Sequence, residues 1–360
     1  MKYLYKLISI LLLVPSILLA TDQKGKHTKS KNIHKTFTIS KQGSLNLTNK
    51  YGNINITTWD KNSIEIEVYI ETNGNDEQKV IDRLKNITID FDNSPSSVSA
   101  KTNIRKSGYS GWSLFSNNHC IGMKINYTVK MPVTNLLKVN NDYGNISIDK
   151  LLGKAIIHCD YGKLFIGELH HLDNDIRLNY NGKSTIEYLK GGTINSDYST
   201  IEIEESETIR ITADYSHIQI GTAKKLKYQC DYGDLKVDQV GIITGSSDYF
   251  HVKINELSDT ANLNSEYGSV KIGTILSGFS LVKISSDYGN IKLGIEQNTS
   301  YNFNVKLEYG RLKLEQSDYT FHKKITKNSS KYYEGYCIKQ NNRSNIHLQT
   351  SYGNVAITNN

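Results

Sequence analysis

Apolar and polar positions alternate in short runs along most of this chain, and each run breaks at a tyrosine. The third and fifth residues after the tyrosine are aliphatic: Ile146/Ile148, Leu164/Ile166, Ile201/Ile203, Ile218/Ile220, Leu235/Val237, Val252/Ile254, Val270/Ile272, Ile291/Leu293, Leu312/Leu314 and Val355/Ile357. The fourth and second residues before it form a matching series: Ile157/Cys159, Ile211/Ala213, Tyr228/Cys230, Leu263/Ser265, Ile284/Ser286 and Val305/Leu307. Period-two alternation in β-branched residues predicts a strand on each side of the tyrosine. The tyrosine shares the parity of the residues before it, so its ring is expected to point inward at a corner.

The tyrosines are Tyr143, Tyr161, Tyr180, Tyr198, Tyr215, Tyr232, Tyr249, Tyr267, Tyr288 and Tyr309, at gaps of 18, 19, 18, 17, 17, 17, 18, 21 and 21 residues. Tyr180 fits this count but lacks the phrase found after the others, and Tyr51 and Tyr352 repeat the phrase outside the series. Strand, corner, strand, corner at a fixed short period predicts an all-β parallel β-solenoid. Right-handed coiling is expected by analogy with parallel crossovers. A left-handed hexapeptide helix would need an aliphatic residue six positions after the first buried one. Those positions read Leu152, His170, Glu207, Lys224, Gly241 and Ser258, which rules it out. Gly comes after most of the tyrosines, but Ser199, Ser216 and Phe250 replace it, so an obligatory positive φ at that position is not expected.

The rest of the chain divides around this repeat. Residues 1–20 read as an export signal, with Lys2 and Lys6 before an apolar run from Leu7 to Ala20 that is too short to span a bilayer. Residues 21–35 read as a basic linker. Residues 36–132 are expected to form an α+β cap, with strands near 64–70, 86–92, 97–104 and 122–130. A helix should start at Asn75-Asp76-Glu77-Gln78, with Asn75 as its cap and Val80, Ile81, Leu84 and Ile87 on its apolar face. The cap would seal the open sheet edge. Residues 133–316 carry the repeats, 317–342 read as a loop leaving one corner, and 343–360 as a terminal coil.

The opening phrase Lys-Tyr-Gly-Asn-Ile-Asn-Ile-Thr-Thr-Trp-Asp (50–60), the strand–helix–strand cap and the repeated Asp-Tyr-Gly phrase resemble the bacterial "putative adhesin" β-solenoid family of unknown function. The resemblance runs from about residue 36 to the end. It implies an exported envelope or surface protein without known catalysis. This chain departs from the pattern in placing Tyr where such repeats often have Ser before Gly.

Charge adds little to this picture. The net charge is +7, or +5 (41 against 36) without Lys2 and Lys6. That permits acidic glycans or an envelope surface as partners and does not point to nucleic acid. No Walker loop, dinucleotide fingerprint, nucleophile elbow or His-Glu-x-x-His motif is present, and no catalytic residue, cofactor or metal site is assigned. Cys159 and Cys230 read as core residues, and Cys120 and Cys337 are not expected to pair.

Four features are candidates for binding. The residues before the tyrosines form an acidic column, with seven consecutive carboxylates expected from Asp197 to Glu308. Turn capping explains it more simply than Ca²⁺ binding, which needs six to eight oxygens. Lys236, Lys253, Lys271, Lys292 and Lys313 form an outward column, either a solvated face or a strip for acidic polysaccharide. The tyrosines themselves form a structural ladder of offset aromatic contacts. Tyr109, Trp112 and Phe115 lie in a Gly- and Ser-rich loop that either binds a ligand or folds onto the cap. The resulting reading is a non-catalytic adhesin-like or structural envelope protein, periplasmic, surface-exposed or secreted, with no membrane span after signal removal. The alternative is a polysaccharide-active β-helix lyase or hydrolase.

Overall fold

The computed structural model describes residues 25–105, 121–315, 318–340 and 343–359. The expected signal segment and the loop bearing Tyr109, Trp112, Phe115 and Cys120 lie outside the described residues.

The cap contains β1 (His27–Thr38), β2 (Ser44–Lys50), β3 (Ile54–Trp59), β4 (Ser63–Gly74), α1 (Glu77–Lys85), β5 (Ile87–Ser94), β6 (Ser97–Ile104) and β7 (Gly122–Pro132). The repeats form β8 (Leu136–Asp142), β9 (Ile146–Leu151), β10 (Ala155–Asp160), β11 (Leu164–Leu169), β12 (Asn174–Asn179), β13 (Lys183–Asp197) and β14 (Thr200–Glu266). β14 runs unbroken through several corners. Then come β15 (Val270–Ile275), β16 (Leu281–Asp287), β17 (Ile291–Ile295), β18 (Tyr301–Glu308), β19 (Leu312–Leu314), β20 (Tyr319–Lys327), β21 (Ser330–Cys337), β22 (Asn345–Ser351) and β23 (Val355–Asn359).

The fold is all-β and solenoid-like, with two walls of parallel strands facing each other across an apolar core. In one wall the order is β6, β2, β8, β10, β12, β13, and in the other β7, β3, β9, β11, β13. Partners across adjacent rungs are equivalent residues, for example Val139 with Ile157, Ile157 with Ile176, and Ile176 with Ile194. That equivalence puts aliphatics over aliphatics. Ile146, Ile148, Leu164, Ile211, Val252 and Ile284 are all buried, as the alternation requires. Burying one such side chain contributes roughly 1.5–3 kcal/mol, so the inner stripes supply the main favourable term.

Sequence expectations are corrected here for three segments and for the helix cap. First, the segment read as a basic linker is largely strand β1, which pairs antiparallel with β4 from His27↔Gly74 to Thr38↔Ser63. Its lysines bind α1. Lys29 pairs with Glu77 at 2.7 Å, and Lys31 Nζ donates to the carbonyls of Leu84, in the last turn of α1, and Ile87, at the start of β5, at 2.9 and 2.7 Å. The helix cap is Asp76, not Asn75. The Asp76 carboxylate accepts from the Lys79 amide, while Asn75 accepts from the Lys26 amide.

Second, residues 317–342 are not a corner loop. β20 and β21 form an antiparallel hairpin, and β21 pairs antiparallel with β18. Third, the terminal coil does not come after the Tyr309 coil in space. β22 pairs in parallel with both β16 and β18, and β23 with both β17 and β19. The last coil therefore sits between two coils that are adjacent in sequence.

Candidate ligand-binding surface

The corners determine what this molecule shows to solvent. All twelve corner tyrosines have a left-handed backbone, with φ between 47° and 65°. The rings form one continuous stack in the order Tyr51, Tyr143, Tyr161, Tyr180, Tyr198, Tyr215, Tyr232, Tyr249, Tyr267, Tyr288, Tyr352, Tyr309. Successive centroids are 4.7–5.3 Å apart and the planes lie within 10° of parallel. From Tyr143 onward each of these tyrosines is 43–64% exposed. The expectation of inward rings is therefore wrong. Parity arguments assume an extended backbone, and a positive φ turns the Cα–Cβ bond out of the alternation.

The next residue takes the inward place instead: Ser199, Ser216 and Phe250 are buried there. Where it is glycine, the reason is close approach between rungs. A Cβ on Gly162 would overlap the Gly144 carbonyl, and one on Gly144 the Gly52 carbonyl. A left-handed non-glycine residue costs on the order of 1–3 kcal/mol, and each stacked pair returns about 0.5–1.5 kcal/mol. Stacking thus offsets much of the strain. It also covers the ring faces, so the ladder offers solvent mainly ring edges and hydroxyls and leaves little flat surface for a sugar.

The acidic column stands beside the ladder. Asp142, Asp160, Asn179, Asp197 and Asp214 are in register across their rungs, as are Glu266 and Asp287. Ser351 then separates Asp287 from Glu308, so the uninterrupted run of carboxylates ends at Asp287. At the N-terminal end Lys50 pairs with Asp142 at 3.5 Å, and Asn179 Nδ2 donates to Asp160 at 2.8 Å. Farther along, burial and then the Asp214 and Asp248 carboxylates hold the Asp231 carboxyl above the usual carboxylate range. Among the described residues no group of three or more His, Cys, Asp or Glu side chains could hold a metal ion.

The lysine column faces outward as expected, and its members differ in their surroundings. Lys236 pairs with Asp234 at 3.3 Å and Lys313 with Glu315 at 2.7 Å. Lys253, Lys271 and Lys292 make no ion pair among the described residues, and they occupy successive rungs, with Lys253↔Lys271 and Lys271↔Lys292 in register. Ala356 comes after Lys292 in the column and separates it from Lys313. The gap opens a shallow hollow of about 310 Å³ walled by Lys271 and Lys292 and floored by Gly273, Gly294, Ala356 and Thr358. The residues two positions along from Lys271 and Lys292 are glycines, which leave the outer face of the wall open there.

Sequence reasoning missed a second depression. It measures about 430 Å³ and lies over the outward residues of β2, β5, β6 and β8, including Asn46, Thr48, Asp92, Ser99, Lys138 and Asn140. No motif announces it, because it exists only where the cap hairpin meets the first rungs. Other candidates resolve into local contacts. His170 Nε2 meets Glu168 at 2.6 Å, and His171 Nδ1 accepts from the Asp173 amide. Cys159 and Cys230 are buried free thiols pushed up to about 11 and about 12 by burial. No described helix is long and apolar enough to cross a membrane.

Comparison with known proteins assigns the chain to a family. None of the curated proteins matches the chain. Among solved structures, a "putative cell adhesion protein" from Clostridium sporogenes is 11% identical, covering 92% of this chain and all of that one, with a TM-score of 0.18. A "putative adhesin" from Bacteroides fragilis is 12% identical over 92% of this chain and 97% of its own, with a TM-score of 0.22. Another from Parabacteroides merdae is 10% identical over 93% and 98%, with a TM-score of 0.35. A family model matches residues 42–358, from β2 to the penultimate residue of β23, and on that match the chain belongs to the Toastrack DUF4097 family.

Proposed function

We propose that this protein is a non-catalytic, adhesin-like component of the cell envelope that binds anionic polysaccharide along its lysine column. The observation that carries this reading is the run Lys253, Lys271 and Lys292 on successive rungs, without ion pairs among the described residues, beside a glycine-floored hollow. Rungs lie about 4.8 Å apart, close to the spacing of sugar units along an extended chain. A polymer with repeated carboxylate or sulfate groups can therefore meet several lysines at once, and each weak contact raises the effective concentration of the next. The apolar run Leu7–Ala20 after Lys2 and Lys6 supports export, and right-handed coiling of the stack remains part of the reading.

The test is retention on an immobilised uronate or sulfated polysaccharide. Wild-type protein should be retained at low salt, released as salt rises, and leave the polymer at its original length. K253Q/K271Q/K292Q should elute with the void while K236Q is retained. Shortening of the polymer would support the enzymatic alternative, and equal retention of both variants would overturn the assignment of the strip.

A further inference from the structure

Where the cap hairpin meets the first rungs, alternation leaves short polar side chains on the outer face. In β2 the buried Leu45 and Leu47 put Ser44, Asn46 and Thr48 outward, and in β6 Val98 and Ala100 do the same for Ser97 and Ser99. Register then assembles them across four strands. Asp92 of β5 is opposite Ser99 of β6, Ser99 is opposite Asn46 of β2, and Asn46 is opposite Lys138 of β8. The row Asp92–Ser99–Asn46–Lys138 thus crosses three strand spacings, about 14 Å. The depression of about 430 Å³ lies over this row, between Lys138 on one rim and the end of β5 on the other.

The floor is only partly filled by its own hydrogen bonds. Ser44 Oγ donates to Ser97 Oγ at 3.2 Å, and Asn46 Nδ2 donates to the same oxygen at 3.4 Å. Thr48, Asp92, Asn93, Ser99, Lys138 and Asn140 also line the depression, and none of these side chains makes a hydrogen bond or ion pair among the described residues. Neighbouring charges on the same wall are matched: Asp90 accepts from Asn103, Asp160 from Asn179 at 2.8 Å, and Lys154 pairs with Asp173 at 3.4 Å. The Oδ1 of Asn140 is buried with no partner, a state that folded chains seldom leave unfilled.

These groups select a ligand by its chemistry. Leu47 is the apolar residue in the lining and is only 1% exposed, so a lipid or other apolar ligand finds nothing to cover. Asp92 and Lys138 cancel, so a polyanion gains from one what it loses to the other. Hydroxyls and amides remain, and these both donate and accept. An extended peptide turns alternate residues away from such a floor, whereas every sugar unit carries several hydroxyls that match it in both senses. We propose that this depression is a second glycan site, which takes a short uncharged stretch of oligosaccharide laid along the row from Asp92 to Lys138. The Asp92 carboxylate accepts from sugar hydroxyls at one end, Lys138 donates to them at the other, and Thr48, Ser99 and Asn140 bond those between. Recognition comes from hydrogen bonds that replace bound water, with no aromatic platform. The site shares no residue with the lysine column and does not depend on it.

The experiment is affinity electrophoresis of the full chain through native gels that contain soluble neutral glucan, mannan, galactan or xylan. At least one of the four should retard the wild-type protein, and the retardation should persist as salt rises, because the ligand is uncharged. D92A and K138A should each weaken binding on the order of tenfold, and T48W, which fills the floor, should abolish it. All three positions are exposed on the outer face, so the variants should melt with the wild type. K253Q/K271Q/K292Q should be retarded like wild type, which separates this outcome from that of the lysine strip. Free migration of the wild type in all four gels would overturn the proposal, as would equal retardation of D92A, K138A and T48W. Retardation that vanishes with salt would also overturn it, and would assign the binding to the strip.

Discussion

Tyr352 stacks on Tyr288 at 4.9 Å and on Tyr309 at 4.7 Å, so the corner nearest the C-terminus is wedged between two corners that precede it. The backbone agrees with the rings. Ser351 stands between Asp287 and Glu308, and Ala356 between Lys292 and Lys313. The chain leaves one rung empty after Ile295, builds the next coil and the hairpin, then returns to fill the gap.

This wedge predicts how the molecule fails when it is shortened. A chain ending at Gln340 loses Ile346, Leu348, Val355 and Ile357, all buried, at roughly 1.5–3 kcal/mol each. Coils in such a stack depend on their nearest neighbours. Limited proteolysis with mass spectrometry should therefore remove the segment after Ile295 and spare the coils before Tyr267. An unchanged digestion pattern would show that the wedge is dispensable.

The ladder predicts an inverted ranking of substitutions. Tyr215→Ala keeps the left-handed strain and loses stacking on Tyr198 and Tyr232, at 4.8 and 4.7 Å. Tyr215→Gly loses the same contacts but relieves the strain. Glycine should thus be the milder change by about 1 kcal/mol, the reverse of the order in an ordinary strand. Urea melts of both variants check this, and alanine proving the more stable would contradict it.

The glycines after the tyrosines should be intolerant for a different reason. Gly162→Ala forces a methyl into the Gly144 carbonyl and should cost about 1–3 kcal/mol. At Gly278 nothing lies within 4 Å of an added methyl, and only its φ of 83° opposes alanine. Thermal denaturation should rank Gly162→Ala as the more damaging of the two.

The acidic column predicts a pH effect with a definite sign. The Asp231 carboxyl titrates above its unfolded value because burial, then Asp214 and Asp248, disfavour its charge. A raised carboxyl contributes stability below the unfolded pKa, near 3.9, and loses it as pH rises through the folded value. Asp231→Asn should therefore be more stable than wild type at neutral pH, with the difference closing as the acid is protonated. Urea midpoints across that range check it. A variant less stable at pH 7 would mean that Asp231 serves the corner in another way.

Much of the fold is legible in the sequence because it is local. Ile146 and Ile148, or Ile157 and Ile211, declare strands and the face that is buried, and the helix and cap strands lie within a few residues of their expected places. β1 reads as linker because lysines at alternate positions look solvated, whereas Lys31 is held by carbonyls at the end of α1 and the start of β5. The lysine column is visible as a column. The pairing of Lys236 with Asp234 and the gap at Ala356, which single out Lys253, Lys271 and Lys292, are not visible.

The repeat in the amino-acid order thus determined by itself that two apolar walls would form and that a tyrosine would mark one corner of each coil. Alternation depends only on neighbouring residues, and a buried stripe admits one register. Tertiary structure decided which way the tyrosines face and which coils are neighbours. The first depends on a left-handed φ held in place by the rungs on either side. The second is a choice among rungs so alike in pattern that any could stack on any other. Only the competition of whole coils for the same edge puts residues 345–359 between β16 and β18 and between β17 and β19.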